Sequence, residues 1–403
     1  MSRPLQVFTF DTASRRVGAM LVATLAVLVA SIAGCGGSVG TGGTGAYVVG
    51  PVSGFGSVIV AGVRFDDSAA RVEDDDGTLR SRDDLRLGMM VEIDSGAIAP
   101  DGSGGAQATA TRVRFASELI GPVTSIDPAT ARLTVLGQPV RVTASTVFDA
   151  ALTGGLAALA NGDVVEVYGF FDAAGGGYSA TRIERRSNPP TLYRVRGVVR
   201  ELDNLAQTLR IGAQLFDYRS ALSMPANLDN GQFVRLRVAA APVAGRWVVS
   251  AFGAAPRMLD DRDEAEVEGL VSAFTSATQF RVNGVTVDAS GAAFPDGSAG
   301  LALGVRVEVK GSTRAGVLVA STVEIKTDDE VRIEGFDLRG TIDSVNPAAT
   351  TFALRGLTVF YGNAPRFDGG SAADLVAGRK LRVRGTLSAD RTRIDATRIE
   401  FEN

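Results

Sequence analysis

The sequence predicts an all-β protein, built as five tandem small five-stranded OB-like β-barrel modules after a signal peptide and a Gly-rich tether. Three observations predict this. A pattern recurs roughly every 70 residues through most of the chain, the mark of a repeat architecture. Each copy contains short runs of alternating apolar and polar residues, the period of a half-buried strand. Of the 48 glycines, three recur at fixed places in each copy, where tight turns or close backbone approaches are needed.

The elements follow in order within each repeat. The first is a short apolar strand containing a glycine: Gly50, Gly121, Gly197, Gly269 and Gly340. A second glycine, Gly62, Gly137, Gly212, Gly284 or Gly356, separates two alternating runs. In Gln279-Phe280-Arg281-Val282-Asn283-Gly284-Val285-Thr286-Val287 these runs flank Asn-Gly, a strong hairpin signal. A longer segment comes next and contains Leu156-Ala157-Ala158-Leu159 in the second repeat, long enough for a helical turn. The third glycine (Gly88, Gly162, Gly231, Gly304, Gly378) precedes a fourth strand with apolar residues on one face, such as Val165 and Val167. The last strand is seen in Ala180-Thr181-Arg182-Ile183 and Ala396-Thr397-Arg398-Ile399.

Three strands, a cap and two strands is the order of an OB-like barrel, and closure removes exposed strand edges. A small sandwich or a half-open barrel is the competing architecture. The predicted organisation is 1–34 signal peptide, 35–46 lipidated cysteine and tether, then modules at 47–116, 117–187, 191–255, 264–327 and 330–403.

The N-terminus carries Arg15 and Arg16 before an uncharged stretch from Val17 to Gly34, as in a signal peptide. Ile32-Ala33-Gly34-Cys35 resembles a bacterial lipobox, which implies a diacylglyceryl group on Cys35 as the new N-terminus. An uncleaved membrane anchor is the alternative, but its small residues and terminal cysteine fit it poorly. Gly36 follows Cys35, so resemblance to other lipoproteins implies sorting to the outer membrane in a two-membrane host. The tether GGSVGTGGTGA would hold the first module roughly 18 Å from the lipid.

Leu119-Ile120-Gly121-Pro122-Val123, Leu133-Thr134-Val135-Leu136-Gly137, Gly162-Asp163-Val164-Val165-Glu166-Val167 and Ala180-Thr181-Arg182-Ile183-Glu184 together resemble the bacterial domain-of-unknown-function family 5666. The other repeats resemble it less, the third keeping mainly its glycines. The resemblance implies an exported, often lipid-anchored repeat protein and brings no ligand or catalytic residues with it.

Composition excludes several chemistries. There is no histidine and one cysteine, so Ser-His-Asp and Cys-His pairs, His/Cys zinc sites and internal disulfides are absent. The chain carries 45 acidic against 41 basic residues, the wrong sign for a nucleic-acid partner. No cofactor is expected.

The acidic run Glu73-Asp74-Asp75-Asp76-Gly77 departs from a calcium-binding EF-hand loop and reads as a solvated hairpin tip. Asp260-Asp261-Arg262-Asp263-Glu264 and Asp328-Asp329-Glu330 read as linkers between modules. Glu92, Glu166 and Glu308 on fourth strands read as outer-face partners of Arg112, Arg182 and Arg398 on fifth strands.

In repeat three, aligning Ala213 and Leu215 with Val285 and Val287 puts Phe216 and Tyr218 on the outer face. With Trp247 they form the candidate ligand-binding set, since exposed aromatics on an OB-like face stack on sugars. The favoured reading is that they pack against a neighbouring module.

The expected function is a non-catalytic, lipid-anchored cell-envelope protein whose modules serve as a structural or binding scaffold. Its partners would be the membrane through the anchor and another envelope protein or polysaccharide. The alternatives are an envelope saccharide-binding protein and a metal- or carboxylate-dependent hydrolase. Cys35→Ser should abolish incorporation of labelled fatty acid and leave unprocessed precursor. Normal processing with release of soluble protein would contradict the lipobox.

Overall fold

The structure is a computed structural model that describes residues 45–55, 57–102, 105–253, 259–327, 336–389 and 392–402. The signal segment, Cys35, most of the tether, Asp328-Asp329-Glu330 and residues 254–258 lie outside them. Of the run read as a linker, Asp260-Asp261-Arg262-Asp263-Glu264, the last three residues instead open a strand, because Glu264 pairs with Ala46 of module one. Strands dominate, and the segment after the third strand of module two forms a short 3-10 turn, Gly155–Ala158.

Module two shows the common plan. Its strands are Leu119–Asp127, Arg132–Val135, Gln138–Phe148, Val164–Asp172 and Gly177–Arg185. The first three form an antiparallel meander, the third pairs parallel with the fifth, and the fourth closes the cylinder between the fifth and the first. This is the closed five-stranded topology of an OB-like barrel.

The same ladder closes each of the other modules. Module one begins on Ala46–Gly54 and ends on Ala106–Phe115. Module three runs from Leu192–Asp203 to Trp247–Phe252. Module four runs from Arg262–Ser276 to Val317–Ile325. Module five runs from Phe336–Asn346 to Arg393–Phe401.

Two of the repeated glycines have a common mechanical role. At the first, the opening strand is crossed by the end of the second strand or its turn. A Cβ on Gly121 would lie 2.5 Å from the Leu136 side chain, on Gly197 2.2 Å from Ile211, and on Gly269 2.3 Å from Asn283. At the third, positive φ (79° at Gly88, 93° at Gly162, 86° at Gly378) turns the chain into the fourth strand. Each then donates its N–H to the first strand, Gly162 to the Val123 carbonyl at 2.8 Å and Gly88 to Val52 at 2.8 Å.

The glycine pivot divides each first strand in two. In module two, residues 123–127 pair with the second strand and residues 119–122 with the fourth. The half before the pivot therefore has one unused edge. Module one pairs that edge, at Ala46–Val49, in parallel with Glu264–Val267 of module four. Module two pairs Leu119 and Ile120 with Val195 and Arg194 of module three. Module five touches module one at its corresponding strand, where Phe55 donates its N–H to the Asp337 carbonyl at 2.7 Å.

The cores follow these pairings. Modules two and three share one buried cluster, including Leu119, Tyr178, Val195 and Phe216. Modules one and five share another, including Phe55, Phe65, Leu338 and Phe352. Module four has its own core, with Val49 of module one packed against it. A small fourth cluster, Met89, Met90, Tyr168, Phe170 and Leu270, joins modules one, two and four. With the ion pairs from Asp75 and Asp76 to module three, module one contacts all four others, so the modules do not lie as a string in chain order.

Candidate functional site

The candidate site is the junction where module one meets modules two, three and four. Module three brings two Arg-x-Arg strands side by side there, with Arg194 opposite Arg237 and Arg196 opposite Arg235. Four like charges in a two-by-two array repel, so this face requires carboxylates. Module one supplies them from the segment after its third strand. Asp75 reaches Arg194 at 3.2 Å and Arg196 at 3.0 Å and also pairs with Arg235, while Asp76 pairs with Arg237. Glu118, between modules one and two, adds a bond to Arg196 at 3.0 Å.

The Asp75 side chain is only 5% exposed, and Arg235 9%. Burial alone would lower Arg196, but the charges of Glu118 and Asp75 hold it above the usual guanidinium value. Burial lowers Arg235 against the pull of Asp75, and it raises Glu118 against the pull of Arg196.

The acidic run is therefore an inserted plug and not the solvated tip that the sequence suggests. Glu73 is likewise bound, by Arg71 at 2.8 Å and Arg114 at 2.8 Å, and Asp74 by Arg80 at 2.7 Å. Asp74, Asp75 and Asp76 lie close enough to share a cation. Each of the three is already paired with a guanidinium, Asp74 with Arg80, Asp75 with Arg194 and Asp76 with Arg237.

Two clefts flank this plug. One, of about 310 Å³, draws on modules one to four, and includes Tyr47, Phe115, Phe171, Phe233, Arg196 and Arg281. Phe171 and Phe233 meet edge to face there, with ring centroids 5.0 Å apart. The other, of about 560 Å³, lies among modules one to three and is lined by charged groups including Arg80, Arg86, Glu166 and Arg186.

A second carboxylate group lies on the seam between modules one and four. Glu266 and Glu308 are both buried, with Lys310 at 3.2 Å from Glu266 and 2.8 Å from Glu308. Lys326 adds a contact to Glu308 at 3.2 Å. Burial, followed by the hydrogen bond to Glu308 and its charge, pushes Glu266 up to about 8. Burial acts the same way on Glu308, but the bonds from Glu266 and Lys310 outweigh it and hold that carboxyl low. Neither residue lines the two clefts just described.

The structure corrects the aromatic site read from module three. Phe216 is fully buried and Tyr218 is 4% exposed, both inside the core shared with module two. The error is a register slip of one residue. In module four the turn between the second and third strands is Asn283-Gly284, whereas in module three it is Gly212-Ala213. The glycine is second in one turn and first in the other, so aligning glycines exchanges the two faces of the third strand. Phe216 thereby takes the inward place of Val287, pairing with Leu209 as Val287 pairs with Phe280. Trp247 is half-buried against the same core, its ring 5.8 Å from that of Tyr193.

The outer-face pairing is corrected as well. Glu92 lies opposite Arg114, Glu166 opposite Glu184 and Glu308 opposite Glu324, while Arg398 bonds Asp368 at 2.5 Å. Arg112 pairs with Asp94. Arg182, 2% exposed, bonds Glu184 at 2.6 Å and the Leu87 carbonyl of module one at 3.1 Å. Two of these charges reach another module, Arg182 through Leu87 and Asp94 through Arg262 of module four.

The residues that sequence reasoning missed are Arg194, Arg196, Arg235 and Arg237. Their signal was available: two Arg-x-Arg runs on strands predicted to be neighbours put four positive charges on one face.

The family model of the domain of unknown function DUF5666 matches residues 120–184, 268–324 and 339–400, which lie within modules two, four and five. A solved structure titled drosophila Unr CSD456 is 16% identical, with a TM-score of 0.15. The match covers 52% of this chain and 97% of that one. No curated protein matches the chain.

Asp75→Ala should destabilise the protein by about 3–5 kcal/mol, because it strands buried guanidiniums without a counter-charge. Urea denaturation measures this, and a change within about 0.5 kcal/mol would mean a solvated tip. The second expectation concerns pH. The folded value of Glu266 lies above its ordinary 4.5, so folding takes up a proton between that value and about 8. Its contribution is complete below 4.5 and is lost as pH rises through about 8. Glu266→Gln, which keeps the uncharged donor, should stabilise the protein by roughly 2 kcal/mol at pH 8 and less at pH 5. Thermal melts at the two pH values compare it with the wild type, and an equal effect at both would contradict the shared proton.

Proposed function

We propose that this chain, whose second, fourth and fifth modules belong to the DUF5666 family of domains of unknown function, is a non-catalytic, lipid-anchored cell-envelope protein. Its repeated β-modules act as a structural or binding scaffold. The observation that carries this reading is the packing of four barrels around module one, held by buried ion pairs such as Asp75 with Arg196 and Arg235. Such packing gives a rigid body that presents fixed faces, which suits a scaffold.

The anchor is read from Ile32-Ala33-Gly34-Cys35, and outer-membrane sorting from Gly36. The charges at the clefts support binding or assembly over catalysis. Most are matched by ion pairs, and the chain has no histidine to serve as a general base near neutral pH. Glu266 and Glu308 are the best carboxylate pair for a hydrolase, but Lys310 and Lys326 occupy them. The saccharide-binding alternative retains only Trp247, since Phe216 and Tyr218 are inside the barrel.

Separating membranes from cells that make the full chain should place it in the outer-membrane fraction. Recovery among soluble periplasmic proteins would contradict the anchored scaffold. In a soluble form lacking the lipid, Trp247 emission should be blue-shifted, resist acrylamide and stay unchanged when envelope polysaccharide is added. A spectral shift on that addition would favour the saccharide-binding alternative.

A further inference from the structure

A separate cleft, of about 220 Å³, lies between modules two and four. We propose that it binds a small phosphate ester. Its floor is the parallel seam of barrel two, where Arg141 and Ser179 are register partners. The strand bulges after Val142, which presents the hydroxyls of Thr143 and Ser145 beside them, 2.9 Å apart. Ser179 and Thr181 add two more hydroxyls from the fifth strand. Module four contributes Arg306 and Lys326 to the opposite wall. The lining therefore holds three cations and four hydroxyls and no carboxylate.

Two details separate this cleft from an ordinary polar seam. Thr181 is 4% exposed, and its hydroxyl oxygen has no hydrogen-bond partner among the described residues, a state that carries a desolvation cost unless a ligand fills it. Arg141 makes no ion pair among them either, its one bond going to the Ser179 hydroxyl at 3.4 Å. The other two cations are already matched. Arg306 bonds Glu268 at 2.6 Å and lies over the Phe170 ring at 5.1 Å, while Lys326 is held by Glu308 and Glu324.

The cleft thus offers one unmatched guanidinium fork with hydroxyl donors around it. A planar fork with adjacent donors suits the oxygens of a phosphate group better than it suits an apolar or cationic ligand. The volume equals about seven waters at ~30 Å³ each, more than a bare phosphate needs, so room remains for the polar group it esterifies. Gly304, in the lining, lets modules two and four approach closely at this edge. A Cβ on Gly304 would come within 2.8 Å of Ala174 and 3.4 Å of the Asp172 carboxylate.

Isothermal titration of the soluble chain with glucose 6-phosphate tests the site. Saturable binding with a Kd of about 1 mM or tighter is expected. Arg141→Ala should weaken it at least tenfold, the loss of a charged hydrogen bond, and the near-isosteric Thr181→Val by about threefold. Lys380→Ala, on module five, should bind as the wild type does. Thermal melts confirm that each variant is folded, and Arg141→Lys, which keeps the charge without the fork, should bind between the wild type and Arg141→Ala. No saturation by about 10 mM, equal binding by Arg141→Ala, or equal loss in Lys380→Ala would each overturn the proposal.

Discussion

A barrel of five short strands can close only if its first strand is shared between two partners, and that sharing governs how this protein assembles. The strand pivots at its glycine, giving one half to the second strand and the other to the fourth. The half before the pivot then has backbone groups along one free edge, a feature that proteins must cover or pair. Here the edge of module one pairs with that of module four, and the edge of module two with that of module three. A defect of the single module becomes the joint between modules.

Once those edges are joined, barrel walls that would be solvated in an isolated module face one another. The chain meets that with charge. The arginines of module three would repel one another across adjacent strands without Asp75 and Asp76, which come from the far side of the sequence. Arg182 crosses from module two to the Leu87 carbonyl of module one in the same way. Buried pairs of this kind add little net stability relative to apolar packing, but they are costly to break, so they favour one arrangement over near alternatives. A small apolar cluster around Met89, Tyr168 and Leu270 also joins modules one, two and four.

The barrels themselves were legible because everything that specifies them is local and repeated. The first and third glycines mark the pivot and the entry to the fourth strand, and paired apolar residues such as Val165 and Val167 mark the buried face. The faces of the third strand in module three were misread for a local reason as well. Gly212 opens its turn where Gly284 closes the other, and glycine alignment alone cannot show a one-residue slip.

What sits between the modules was not legible in the same way. Nothing near Asp75 in the sequence announces Arg235, 160 residues on, and an acidic run looks the same whether water or guanidinium surrounds it. Glu266 and Glu308 likewise occupy ordinary strand positions, and their burial is not visible in the strand pattern. The arginine array was the exception, since like charges on neighbouring strands call for a partner.

Residues 43–403 form one compact unit, which is the central consequence of the paired edges. Small-angle X-ray scattering from a soluble form beginning at Gly45 measures it directly. A compact body of this length should have a radius of gyration of about 21 Å. A value of roughly 35 Å or more, with the profile of an elongated particle, would mean five barrels strung in chain order and would contradict the account.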